Sequence, residues 1–231
     1  MGSARCWHRR PSKIRVDTLT MQNMNLRLLL VAGLLACLVI GISRSQAGTP
    51  TDDLLARLSA ITALQGDFEQ RQFDEKGVVA ATSSGSFKLL KPDYFSWEIS
   101  APDNQLVIAD TESLWHYDRD LETVTRRPVA GSEQMAPLQV LGGDEAVLRE
   151  RFAIAQGTDG NSYTLVPVAN DPGFRQLSLR FDGQQIVGME IIDSLNQRIN
   201  VLFSNVRTTA LTPEDFAFTP PDGVDLFDYE Q

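Results

Sequence analysis

The sequence has little of what most enzyme sites are built from. Its two cysteines are Cys6 and Cys37, and its two histidines are His8 and His116. Beyond residue 47 there is therefore no thiol and a single imidazole. A disulfide framework, a Cys-His pair and a histidine metal site are all excluded there. Positive charge is also scarce, with 21 basic against 30 acidic residues. Nucleic acid and anionic lipid both recruit basic patches, so neither is an expected partner. No nucleophile-elbow Gly-x-Ser-x-Gly, phosphate-cradling glycine loop or Gly-x-Gly-x-x-Gly occurs. Long apolar runs are limited to Leu28 to Ile42, which falls short of the roughly 20 residues that cross a bilayer as a helix.

That one run has a different use. Arg27 precedes it, Ser43, Arg44 and Ser45 close it, and Ser45-Gln46-Ala47 supplies a small-x-Ala site. The pattern is that of a signal peptide spanning residues 1–47, cleaved after Ala47, with an over-extended basic start before Met21 or Met24. A competing reading makes Leu34-Leu35-Ala36-Cys37 a lipoprotein cleavage site, but Leu38-Val39-Ile40 continues the apolar run where a new surface terminus should turn polar. Cleavage after Ala47 removes seven basic residues and one acidic residue. It leaves 14 basic against 29 acidic side chains in residues 48–231, a strongly acidic single domain.

In that domain, Thr51 is expected to cap a helix carrying Leu54, Leu55, Leu58, Ile61 and Leu64 on one face, with Gly66 ending it. From there the apolar period changes to two. Phe95, Trp97 and Ile99 alternate with Tyr94, Ser96 and Glu98, and Leu177, Leu179 and Phe181 alternate with Ser178 and Arg180. The pattern recurs at 68–73, 78–89, 105–109, 114–117, 121–125, 152–155, 163–168, 186–192 and 199–206, with turn residues such as Lys91-Pro92-Asp93 and Asp182-Gly183 between them. About ten short strands joined by tight turns imply a mainly β fold, a curved antiparallel sheet forming an incomplete barrel. Gly131 to Arg151 interrupts the sheet pattern with two short helical stretches split at Gly142-Gly143-Asp144. These helices either pack as fixed core or form an α-helical lid over an apolar cavity; both need the same pattern.

Candidate chemistry is thin. His116 between Trp115 and Tyr117 reads as a packed or edge residue. Asp52-Asp53 and Asp144-Glu145 sit at expected helix starts, where the helix dipole accounts for them, and Asp215 has no obvious partner. No convergent acid, base or nucleophile set emerges, so an enzyme on a lidded half-barrel is disfavoured.

The segment Lys91-Pro92-Asp93-Tyr94-Phe95-Ser96-Trp97, with Leu106 to Asp110, Leu114-Trp115-His116-Tyr117 and the closing Phe216 to Val224, resembles the LolA family of periplasmic outer-membrane lipoprotein carriers. The resemblance implies a half-open barrel with a helical lid enclosing a cavity for acyl chains. It also implies acylated lipoproteins as cargo, an inner-membrane ABC transporter complex as donor, the receptor LolB as acceptor, a periplasmic location and a monomer. By motif, Lys91 stands where the family has an arginine that latches the lid, a substitution that keeps the charge and loses the planar fork; a solvated turn lysine is the alternative. Phe95 corresponds to an aromatic at the cavity mouth. The residues expected to meet cargo are Phe95, Trp97, Leu106, Trp115, Leu138, Val140, Leu141, Phe181 and Met189. Residues 225–229 after Pro220-Pro221 are expected to be disordered or to dock on a partner. A LolB-like receptor on the same fold would need Cys37 as its anchor and a loop with an isolated exposed leucine, and no such loop is legible.

Overall fold

A computed structural model of the protein describes residues 48–129, 140–169 and 174–229. Residues Gly48–Gln231 form one compact unit. Its first element is helix α1, Pro50–Ser59. Thr49 caps it, its hydroxyl accepting from the Asp52 N–H while the Asp52 carboxylate accepts from the Thr49 N–H at 3.1 Å. Proline suits the first helical position because its missing N–H would have no partner there. The cap thus lies two residues before the expected Thr51, and the helix stops well short of Gly66. Leu54 and Leu58 are fully buried, but Ile61 lies beyond the helix and Leu64 and Gly66 belong to the first strand. Gly66 serves close packing: an added Cβ would stand 2.9 Å from the Ser204 carbonyl oxygen.

Among the described residues twelve strands follow: β1 Ala63–Phe73, β2 Val79–Leu90, β3 Tyr94–Ala101, β4 Gln105–Ala109, β5 Ser113–Asp118, β6 Thr123–Pro128, β7 Phe152–Gln156, β8 Ser162–Pro167, β9 Gln176–Asp182, β10 Gln185–Ile192, β11 Arg198–Arg207 and β12 Asp225–Asp228. They form one sheet in the order β12-β6-β5-β4-β3-β2-β1-β11-β10-β9-β8-β7. Every neighbouring pair is antiparallel except β12 with β6. The end strands β12 and β7 are not paired with each other, so the sheet stays open rather than closing into a barrel. Between β6 and β7, residues 140–142 are helical and Gly143 turns at φ 71°. Helix α2, Glu145–Arg151, follows with Asp144 as its cap. Among the described residues no helix is long and apolar enough to cross a membrane.

Strand register sorts the side chains onto two faces. Phe68 stands opposite Phe203 and Gly85, Leu89 opposite Phe95, and Phe87 opposite Trp97. Met189 stands opposite both Val201 and Leu179. These residues share one face with the buried Leu54 and Leu58 of α1, and with Val140, Leu141 and Leu148, in a single apolar cluster. The opposite face of β3 to β6 carries a smaller cluster. Ile108, Val124 and Phe216 are buried there, Phe218 packs on Trp115 and Tyr117, and Phe216 packs on Tyr94.

That second cluster explains the C-terminal segment. A short 3-10 turn, Pro213–Phe216, drives Phe216 into it. Asp215 does have a partner: its carboxylate accepts from the Thr212 N–H at 2.8 Å. The chain then runs alongside β6 as β12, where Asp225 N–H donates to Glu122 O and Arg126 pairs with Asp228 at 3.3 Å. Residues 225–228 are thus an ordered edge strand, because β6 offers a free row of backbone groups that the extended tail satisfies.

Candidate functional site

The inner face at the α1 end of the sheet is built almost wholly from apolar rings and branched side chains. Phe68 stacks on Trp97 at 3.7 Å between centroids, Phe95 lies 6.0 Å from Trp97, and Phe87 lies 4.9 Å from Phe203. Alternation places these rings: Phe87 and Leu89 project inward from β2, and Phe95 and Trp97 meet them from β3. Ile61, Leu64, Phe87, Leu89, Phe95, Trp97, Leu141, Ile186 and Phe203 enclose an apolar cavity of about 10 Å³. That is room for about one water molecule. The protein's own side chains fill the space.

Two cationic ties hold α1 in place. On one side, Lys91 in the β2–β3 turn donates from Nζ to the Leu58 carbonyl at 2.5 Å, and its own N–H donates to Thr62 O. The acceptor lies near the C-terminal end of α1, where orphan carbonyls and the helix dipole favour a cation. The Lys91 ammonium is wedged against the turn after residues 140–142: a Cβ added at Gly143 would stand 3.0 Å from Nζ. Burial pulls the Lys91 pKa down to about 8. On the other side, Arg57 lies against the rings of Tyr163 and Phe181 at 5.5 and 5.4 Å. It donates to the carbonyls of Gly183 and Gly160 and pairs with Asp53. The Tyr163 hydroxyl donates to the same Asp53 carboxylate. Asp52 joins α1 to α2 through Arg149 at 2.6 Å, and that guanidinium with the Thr49 cap holds the Asp52 carboxyl down at about 2.

The expected cargo residues divide three ways. Phe95, Trp97 and Leu141 line the cavity, and Val140, Phe181 and Met189 belong to the apolar cluster around it. Leu106 and Trp115 fall on the opposite face. Phe95 pairs with Ala109 and Trp97 with Val107, so the intervening Leu106 and Ile108 point outward, as does Trp115 opposite Ile108. Trp115 instead packs under Phe218, with the Arg126 guanidinium 5.2 Å from its ring. Leu138 lies outside the described residues. Sequence reasoning passed over Ile61, Leu64, Phe87, Leu89, Ile186 and Phe203, although the alternation of Phe87 and Leu89 within 78–89 was a usable signal. His116 is half-buried with Nε2 3.4 Å from Gln105 Oε1. Exposed leucines are present, contrary to expectation: Leu121 and Leu195 are 71% and 64% exposed, so exposure of a leucine alone does not separate carrier from receptor. Each sits in a tight turn, its N–H bound to Asp118 or Asp193, rather than on a protruding loop.

Residues 59–219 match the family described as outer membrane lipoprotein carrier protein LolA. An outer-membrane lipoprotein carrier protein of Methylococcus capsulatus is 35% identical over 192 residues, covering 81% of this chain and 92% of that one. Its counterpart in Halorhodospira halophila is 36% identical over 199 residues, covering 84% and 93%. A LolA superfamily protein from Nitrosomonas europaea is similar in structure at a TM-score of 0.48 and 9% identity, covering 74% of this chain and 99% of that one. With the apolar interior, the open twelve-stranded sheet and a match across most of its length, this chain belongs to the LolA family.

Proposed function

We propose that the protein carries acylated lipoproteins across the periplasm, sheltering their acyl chains in its apolar interior. The observation that carries this reading is the apolar cavity walled by Phe87, Phe95, Trp97 and Phe203, which shares one apolar cluster with a helix tied down by Lys91 and Arg57. Each exposed methylene costs about 0.8 kcal/mol, so the chains of one lipoprotein would cost tens of kcal/mol to move through water. Apolar walls offset that cost without directional bonds. Release then depends on how readily the covering helices close again over the emptied space, and the inward rings supply that closing force by packing against one another.

In this reading residues 1–47 are a cleaved export signal and residues 48–231 act as a monomer. Cargo arrives from an inner-membrane ABC transporter complex and leaves for an outer-membrane receptor of the LolB type. Phe95 and Trp97 line the space the chains occupy, and Lys91 favours the closed state by holding the end of α1. The reading is tested by mixing the purified protein with a synthetic diacylated lipopeptide and following co-elution in gel filtration. A one-to-one complex is expected, and Phe95→Glu, which puts a charge into the apolar wall, should abolish it. Failure of the parent protein to retain the lipopeptide would overturn the proposal.

A further inference from the structure

Beside the sealed interior lies a second, water-open cleft of about 320 Å³ at the same end of the sheet. Its floor includes Ile61, Leu64 and Ile186, which also wall the closed cavity. Three apolar side chains therefore stand between water and the interior at this point. The rim is polar, with Gln184, Gln185, Arg207 and Thr208. Gln185 donates from its amide to Val206 O at 2.9 Å, strapping β10 to β11 across the cleft. One wall is tethered to α1, since the Gly183 carbonyl accepts from Arg57 at 2.5 Å.

We propose that this cleft seats the polar junction of an acylated peptide, its ester and first amide groups, while the acyl chains pass between Ile61, Leu64 and Ile186 into the interior. The proposal rests on the carrier reading of that interior. Its rim chemistry selects the headgroup. Glutamine amides and a threonine hydroxyl offer both donors and acceptors, which suits neutral esters and amides. A lipid phosphate needs converging cations. The one cation of the rim, Arg207, is already engaged, donating from Nε to the Gln65 side-chain oxygen at 2.8 Å with that amide turned to face it. The cleft consequently favours acylated peptides over the anionic phospholipids that surround them in a membrane.

The test places a photo-crosslinking amino acid at Gln184, at Thr208 or, as a control, at Val166 on the outer face of β8. Each protein is irradiated with a dipalmitoylated glyceryl-cysteinyl peptide or with phosphatidylglycerol vesicles. Adducts with the lipopeptide at 184 and 208, absent at 166 and several-fold above those with phosphatidylglycerol, are the expected result. Gln184→Trp, an exposed change that leaves the fold intact, should weaken lipopeptide binding about tenfold. Co-elution of the lipopeptide without rim adducts overturns the cleft and leaves the carrier reading standing. Absence of co-elution removes both. Equal labelling by phosphatidylglycerol, or unchanged affinity of Gln184→Trp, also overturns the proposal.

Discussion

Replacing Phe95 by alanine separates a filled interior from an open one. Phe95 is 4% exposed, lines a cavity of about 10 Å³ and stacks 6.0 Å from Trp97. Its removal loses the transfer energy of the ring and leaves a void that the surrounding sheet cannot fully collapse, a cost of about 3–5 kcal/mol. For a unit spanning Gly48–Gln231 each kcal/mol shifts Tm by about 2–4 °C, so a fall of roughly 6–20 °C is expected. The void is lined by apolar groups and stays dry, ready to take an apolar probe. Phe95→Ala should therefore bind phenylnaphthylamine more tightly than the parent. At a probe concentration about 100 times its Kd, it should regain about 2.7 kcal/mol. Thermal unfolding followed by circular dichroism, with and without the dye, measures both quantities. A Tm unchanged from the parent together with unchanged dye binding would refute the claim that this ring fills the interior.

Lys91→Met keeps most of the unbranched stem and deletes the charge-assisted bond to Leu58 O, so dye uptake should accelerate, while Lys91→Arg should restore the parent rate in stopped-flow fluorescence. Because burial lowers the Lys91 pKa in the fold to about 8, the unfolded chain holds that proton to higher pH than the folded one. The desolvation cost is fully present below about pH 8 and relieved above it, so Lys91 contributes a rise in Tm as pH climbs from about 8 towards 10, and Lys91→Met should lack that increment. Arg57→Met removes the side-chain donor of the Gly183 carbonyl, while Asp53 keeps Tyr163 and Gln156 and the Gly160 carbonyl keeps Gln156, so it should cost only about 1 kcal/mol in urea unfolding. Trp115→Ala, on the outer face, should lower stability by roughly 2 kcal/mol and leave dye and lipopeptide affinity unchanged.

The strands were legible because each one exposes a different chemistry on its two faces, as Phe95-Ser96-Trp97-Glu98 does within four residues. What alternation alone cannot supply is which apolar face is the inner one. Leu106 and Trp115 are as apolar as Val107 and Leu114, and only the register against β3 sends them outward, under a C-terminal segment about a hundred residues further along the chain. The helix boundary was misjudged at Ile61 and Leu64 for a related reason. Helical spacing from Leu54 through Leu64 is real, but the last two side chains reach the same core from a turn and a strand, and Gly66 is small to clear Ser204 rather than to stop a helix. Asp225 to Asp228 lacks strand propensity, and its order comes from the unpaired edge of β6. The lysine tie was legible only through the family's motif; its acceptor, the carbonyl of Leu58, is a backbone group on which side-chain patterns are silent.

The central claim is tested most directly by lipoprotein release. Spheroplasts with an active inner-membrane exporter are incubated with the purified protein, and the supernatant is assayed for a soluble one-to-one complex with an acylated lipoprotein. The account predicts that lipoprotein appears in solution with the parent protein and with Trp115→Ala, and that Phe95→Glu releases none. Release that is equally efficient with Phe95→Glu, or no release with the folded parent in excess, would contradict it.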